Sequence, residues 1–137
     1  MRKIIYLSLM IIFLGCTNDD KSDCSDVACT EEFKTIAVSF KDSNGNPIAL
    51  SRFKVIILDS GTDITRSVND TEFELMKQRG VYPLFGDENR GEYENKELEI
   101  NFKGFIDNQE IVNSNYIVGA DCCHVNLIEG NTDIRIK

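Results

Sequence analysis

Five cysteines and a single histidine are the side chains in this 137-residue sequence best suited to covalent or metal chemistry. They are Cys16, Cys24, Cys29, Cys122, Cys123 and His124. A thiol serves as a modification site, a disulfide partner or a metal ligand, and the redox state of the compartment selects among these uses. The first residues of the chain indicate which compartment applies.

Residues 1–15 have the pattern of a secretory signal peptide. Arg2 and Lys3 form a basic end, residues 4–14 are apolar except for one serine, and small Gly15 precedes Cys16. A membrane-spanning helix needs about 20 apolar residues, whereas polar residues begin here directly after Cys16. We therefore expect export, with residues 1–15 removed.

The tetrapeptide Phe13-Leu14-Gly15-Cys16 resembles the lipobox of bacterial lipoproteins. The resemblance implies that a diacylglycerol is attached to Cys16, which then anchors the chain to the membrane as its first residue. The following Asp19-Asp20-Lys21 resembles the acidic export signal of Bacteroidetes-type lipoproteins. It implies an outer-membrane location in the cell envelope, with exposure at the cell surface. Soluble export, with Cys16 left as an ordinary thiol, is the alternative.

The other four cysteines are disulfide candidates because export leads to an oxidising compartment. In a regular strand Cys122 and Cys123 face opposite sides, with Cα atoms about 3.8 Å apart, which is closer than the usual disulfide range of about 4.4–6.8 Å. We expect each of them to pair with either Cys24 or Cys29. A bond between the two neighbours together with Cys24–Cys29, four free thiols, and a metal site remain open alternatives.

A zinc site is the most specific of these alternatives, since Asp121 and His124 flank the neighbouring cysteines and could add two ligands. Adjacent thiols on opposite faces of a strand cannot both bind one ion. We therefore expect no metal and interpret His124 as a surface residue beside a disulfide.

Composition predicts one acidic domain. Hydrophobic residues make up 42% of the chain and charged residues 28%, which is enough for a core in residues 33–137. Residues 16–32 are polar and predict a lipidated tether. The formal net charge of −8 opposes contact with phosphate backbones, so no nucleic-acid partner is expected.

Alternating apolar side chains predict β-strands throughout the domain. The alternation covers residues 33–40, 53–58, 98–106, 112–118, 123–127 and 134–136. Residues 81–85 are predicted to be extended, and Pro83 favours either an edge strand or a segment outside the sheet. Turn formers at residues 42–47 predict a hairpin between the first two strands, and residues 53–58, apolar on both faces, predict a central strand. We expect a mainly β fold, an antiparallel β-sandwich of about seven strands.

One short helix interrupts this pattern. Thr71 and Glu74 have the spacing of a capping box, and Gly80 provides a left-handed stop. The helix would be inserted between strands and would need to pack on the sheet.

Residues 33–58, a strand, an Asp-x-x-Gly-x-Pro turn and an apolar restart, resemble the opening hairpin of carboxypeptidase-regulatory-like and transthyretin-like β-sandwich modules. This resemblance implies a sandwich of the kind found in exported proteins.

No nucleophile motif, phosphate-binding loop or calcium loop is present in the sequence, and no cofactor is expected. The residues in and around an acidic loop are candidates for a ligand platform: Tyr82, Phe85, Asp87, Glu88 and Tyr93. Positions in the core or at a hairpin rim are the alternative for the three aromatic residues. We expect a non-catalytic binding or accessory module that contacts protein or glycan through its loops. A small carboxylate-dependent enzyme and a structural envelope protein without a ligand are the alternatives.

Overall fold

The computed structural model describes residues 24–137, and the predicted signal peptide, the lipidation of Cys16 and the start of the tether lie outside this part of the chain. Within it the strands are β1 (Thr35–Lys41), β2 (Arg52–Ile57), β3 (Val81–Gly86), β4 (Lys96–Ile106), β5 (Gln109–Ala120), β6 (Val125–Glu129) and β7 (Asp133–Arg135). The helices are α1 (Asp70–Arg79) and the single turn α2 (Arg90–Tyr93), with 3-10 turns at Cys24–Asp26 and Asp87–Asn89.

The strands form two sheets, as the mainly β prediction required. One sheet has the order β3-β1-β7 and the other the order β2-β4-β5-β6. All pairs are antiparallel except β1 with β7, which is parallel. The fold class is confirmed: a seven-stranded sandwich with one inserted helix, to which α2 adds a further turn.

The predicted hairpin between the first two strands is wrong, because β1 and β2 belong to different sheets. The turn itself forms, since Asp42 Oδ1 accepts hydrogen bonds from the backbone N–H groups of Asn44 and Asn46. The chain then crosses to the other sheet at Leu50. Tyr82 fixes this crossing, because its hydroxyl accepts from Leu50 N at 2.7 Å and donates to Ile48 O at 2.9 Å.

Strand β2 is an edge strand of its sheet and not a central one. Its outer edge is covered by a short segment of the following loop. Ile64 N donates to Val55 O at 2.9 Å, and the hydroxyl of Thr65 accepts from Val55 N at 2.8 Å. This segment satisfies backbone groups of Val55 that an edge strand would otherwise leave open to solvent.

The core lies between the sheets and is dominated by aromatic rings. Phe53 and Phe102 stack with their centroids 5.7 Å apart, and Phe40 lies 5.1 Å from Phe102. Tyr82 packs against the same group. Truncating a buried ring of this kind costs about 3–5 kcal/mol, so this cluster is a major source of stability.

Strands β4 and β5 form the predicted long hairpin. Asp107 and Asn108 make the turn with φ of 48° and 68°. Positive φ at both central positions matches the twist of a two-residue hairpin, which asparagine and aspartate tolerate best after glycine.

Helix α1 begins two residues earlier than the capping-box prediction. Asn69, and not Thr71, is the N-cap, and its side chain accepts from Glu72 N at 2.9 Å. Gly80 ends the helix at φ 64°, as predicted, and a Cβ there would lie 2.6 Å from Phe40 O. None of the helices in residues 24–137 is long and apolar enough to cross a bilayer.

Candidate functional site: the disulfide junction

Two disulfides fasten the N-terminal segment to the turn between β5 and β6. Cys24 pairs with Cys122 and Cys29 pairs with Cys123, with Cα separations of 5.3 and 5.2 Å. The expected pairing of each neighbour with one of the early cysteines is therefore confirmed. We call this region the junction: residues 24–34, residues 87–90 and residues 121–125.

The adjacent cysteines lie in a tight turn and not in the strand predicted over residues 123–127, because that strand begins only at Val125. Asp121 shapes this turn. Its Oδ1 atom accepts from Cys123 N at 2.7 Å and from His124 N at 2.8 Å. These two hydrogen bonds hold the pKa of Asp121 below its usual value.

A chain of hydrogen bonds runs beside the disulfides. His124 Nδ1 lies 2.8 Å from Asp87 Oδ2, and His124 Nε2 lies 2.9 Å from the hydroxyl oxygen of Thr30. When Nδ1 donates to the carboxylate, Nε2 accepts from the threonine hydroxyl. The chain thus connects the N-terminal segment, the 3-10 turn after β3, and the start of β6.

Asp87 is the centre of this network, and its side chain is only 9% exposed. Oδ1 accepts from Val125 N at 2.8 Å, and Oδ2 also accepts from Lys34 N at 2.7 Å. Burial acts to raise the pKa of Asp87, but the hydrogen bonds from His124 and from the two backbone N–H groups outweigh it, so the pKa lies below its usual value.

A pocket of about 270 Å³ opens over this network. It is lined by Cys29, Thr30, Glu31, Glu32, Phe33, Asp87, Arg90, Cys123 and His124. Arg90 donates to Cys122 O, which ties α2 to the same turn. Hydroxyl, imidazole and carboxylate stand in the order of an acyl-transfer triad, while the same contacts also join three distant segments of the chain.

The predicted ligand platform is not assembled. Tyr82 and Phe85 are 0% and 2% exposed and belong to the core, because strand β3 turns them inward. Tyr93 packs against Phe85 with centroids 6.1 Å apart. Asp87 lies in the junction, and Glu88 remains at the surface.

His124 was expected at the surface, yet its side chain is only 18% exposed. Its partners Thr30 and Asp87 lie 94 and 37 residues away, so the sequence alone did not point to them. The one available signal was the position of His124 directly after two cysteines expected to bond to the segment that contains Thr30. In residues 24–137 no group of three or more His, Cys, Asp or Glu side chains is placed to hold a metal ion.

Comparison of the chain with protein-family models, with curated proteins and with solved structures finds no match.

Proposed function

We propose that this protein is a lipid-anchored lipoprotein of the cell envelope, held at the outer membrane through Cys16 and exposed at the cell surface. Its β-sandwich, similar to carboxypeptidase-regulatory-like and transthyretin-like modules, acts as a non-catalytic binding or accessory module that contacts protein or glycan.

The observation that carries this proposal is the double disulfide at the junction. Two disulfides are typical of a chain that folds in an oxidising compartment. Cys24 follows Cys16 by only eight residues, which span at most about 29 Å when fully extended. A lipid on Cys16 would therefore keep the junction close to the bilayer.

This arrangement leaves the opposite end of the sandwich free for a partner. Strand β4 runs from Lys96, which pairs with Ala120 near the junction, to Ile106 at the far end. Eleven residues of strand extend about 36 Å. The turn at residues 42–47 and the hairpin turn at Asp107 and Asn108 would thus point away from the membrane.

The anchor is tested by the substitution Cys16→Ala, with Thr17→Ala as the matched control. The wild type and the control should incorporate a labelled fatty acid and sediment with the envelope, whereas Cys16→Ala should do neither. Retention of Cys16→Ala in the envelope to the same extent would refute the anchor.

The binding role is tested by crosslinking on intact cells. A specific partner should be enriched over an unrelated lipoprotein of similar abundance. Without such enrichment, a purely structural envelope protein would be the better description.

A second candidate, a small hydrolase, has the Thr30–His124–Asp87 chain in its favour. A triad requires that Thr30 become nucleophilic through His124. A fluorophosphonate probe should then label Thr30, and Asp87→Asn should abolish the labelling. The binding module predicts no labelling of the folded chain.

A further inference from the structure

The outer face of the three-stranded sheet is a second surface with a distinct composition. On β1, Val38 and Phe40 point into the core, so Ala37, Ser39 and Lys41 point outward. Val81 and Pro83 of β3 pair with Ser39 and Ala37 and lie on the same outer face. The floor of this surface is therefore mostly uncharged, and Lys41 lies at its end.

Helix α1 stands beside this floor and encloses a groove of about 250 Å³. We call it the α1 groove, and it is lined by Thr35, Ala37, Arg66, Glu72, Leu75, Met76, Arg79, Val81 and Pro83. Leu75 is 44% exposed and Val81 is 36% exposed. Two large apolar side chains thus remain in contact with water in a concave site, where a partner's apolar side chain would displace that water.

The rim of the α1 groove carries an unpaired positive charge, although the whole chain is acidic. Arg66 is neutralised by Glu72, with Nη2 and Oε1 3.0 Å apart. Arg79, at the end of the same helix face, has no ion pair within residues 24–137. A free guanidinium at the rim of an apolar groove is a bidentate site for a carboxylate.

The neighbouring strand extends this positive character. Arg135 of β7 pairs in register with Lys41 and also lacks an ion pair in the described part of the chain. Lys41 is matched by Asp133, with Nζ and Oδ1 3.4 Å apart. The face therefore carries two uncompensated arginines on a chain with a formal net charge of −8.

We propose that the α1 groove binds a short extended segment of a protein partner that carries an aliphatic side chain next to a carboxylate. The aliphatic side chain covers Leu75 and Val81, and the carboxylate pairs with Arg79. This names the partner class of the binding module and rests on that proposed function. Charge complementarity selects the partner, since segments rich in lysine or arginine would be repelled from this face.

The test is a selection of short random peptides displayed on phage against the lipidated chain in detergent, with counter-selection against Arg79→Glu. Enriched peptides should place Asp or Glu beside Val, Ile or Leu. Their affinity should fall about tenfold or more for Arg79→Glu, and exchange of the peptide carboxylate for lysine should restore binding to this variant. Leu75→Asp, at an exposed position, should also weaken binding.

The matched control is Arg52→Glu, the same charge change on the other sheet, where the guanidinium lies 3.9 Å over the Phe105 ring. It should leave the affinity unchanged. The proposal is overturned if no peptide is enriched, if Arg52→Glu weakens binding as much as Arg79→Glu, or if the groove instead mediates self-association that Leu75→Asp abolishes. Capture of a partner on cells together with failure of the peptide selection would reject the groove and retain the binding module.

Discussion

Asp87 is the residue on which the contacts of the junction converge. Three donors point at its two oxygens: His124 Nδ1 and the backbone N–H groups of Lys34 and Val125. An amide in its place would keep one acceptor and turn its NH₂ group toward at least one of these donors. The position therefore requires a carboxylate, since buried donors without an acceptor are costly.

Asp87→Asn should lower the free energy of unfolding by about 1–3 kcal/mol. Glu88→Gln removes the same charge from the next, exposed side chain and should change it by less than about 0.5 kcal/mol. Urea unfolding followed by circular dichroism measures both. Equal midpoints for the two variants would show that the junction network adds no stability.

Acid should destabilise the protein through the same carboxylates. The pKa values of Asp87, Asp121 and Asp63 lie below their usual value of 3.8 because each carboxylate accepts hydrogen bonds in the folded state. A lowered pKa contributes stability that is fully present above the unfolded value and is lost as the pH falls through the folded one. Melting temperatures should be nearly constant from about pH 7 to pH 5 and should fall below about pH 4. The fall should be smaller in Asp87→Asn, and an unchanged slope in this variant would contradict the assignment.

For individual residues, the sequence predicts the disulfide partners of the cysteines better than the hydrogen-bond partners of His124. The expected disulfides rest on compartment and on the geometry of adjacent cysteines, both of which are local properties. The pairing of His124 with Thr30 and Asp87 depends on how three distant segments meet, and no local pattern encodes that. A buried position for Tyr82 was one of the two roles that the sequence left open, whereas its hydroxyl partners, backbone atoms more than 30 residues away, could not be predicted.

Among the elements, the β4–β5 hairpin was predictable because its alternation and its turn residues agree. The β1–β2 connection was not, since a turn specifies that the chain reverses and leaves open which sheet the next strand joins. The position of β2 was also predicted wrongly, as central, because its residues are apolar on both faces. Its second neighbour is the loop segment at Ile64, which pairs with the edge of β2 in place of a strand.

The stability lost on removing one disulfide should depend on whether the other disulfide is still present. Each closes a loop of nearly 100 residues, worth about 4–5 kcal/mol by loop-closure entropy. Once one is present, the second closes only the short ring through Cys24, Cys29, Cys122 and Cys123, worth about 2 kcal/mol. Cys24→Ser with Cys122→Ser, or Cys29→Ser with Cys123→Ser, should each lower stability by about 2 kcal/mol, and all four by about 7 kcal/mol. Denaturant unfolding of the three variants measures this, and additive losses would contradict it.

In the whole molecule, charge and the proposed lipid anchor both distinguish the two ends of the sandwich. Acidic residues gather near the junction: Glu31, Glu32, Glu88, Glu92, Glu94 and Glu97. Anionic lipid headgroups would repel this end, while the short chain from Cys16 would hold it within about 29 Å of the bilayer. Together the two effects favour an upright sandwich with its junction end nearest to the membrane.

This orientation predicts different distances to the membrane for the two ends. A fluorophore introduced at Glu88 through an unnatural amino acid, which leaves the cysteines intact, should be quenched strongly by nitroxide headgroups in vesicles that carry the lipidated chain. The same fluorophore at Asn108, in the hairpin turn at the far end of β4, should be quenched weakly, since the strand places it about 36 Å farther away. The unlipidated Cys16→Ala chain gives the background for both positions. Equal quenching at Glu88 and Asn108 would mean that the sandwich lies flat or tumbles freely. The loops at the far end would then not be held away from the membrane, where a partner could reach them.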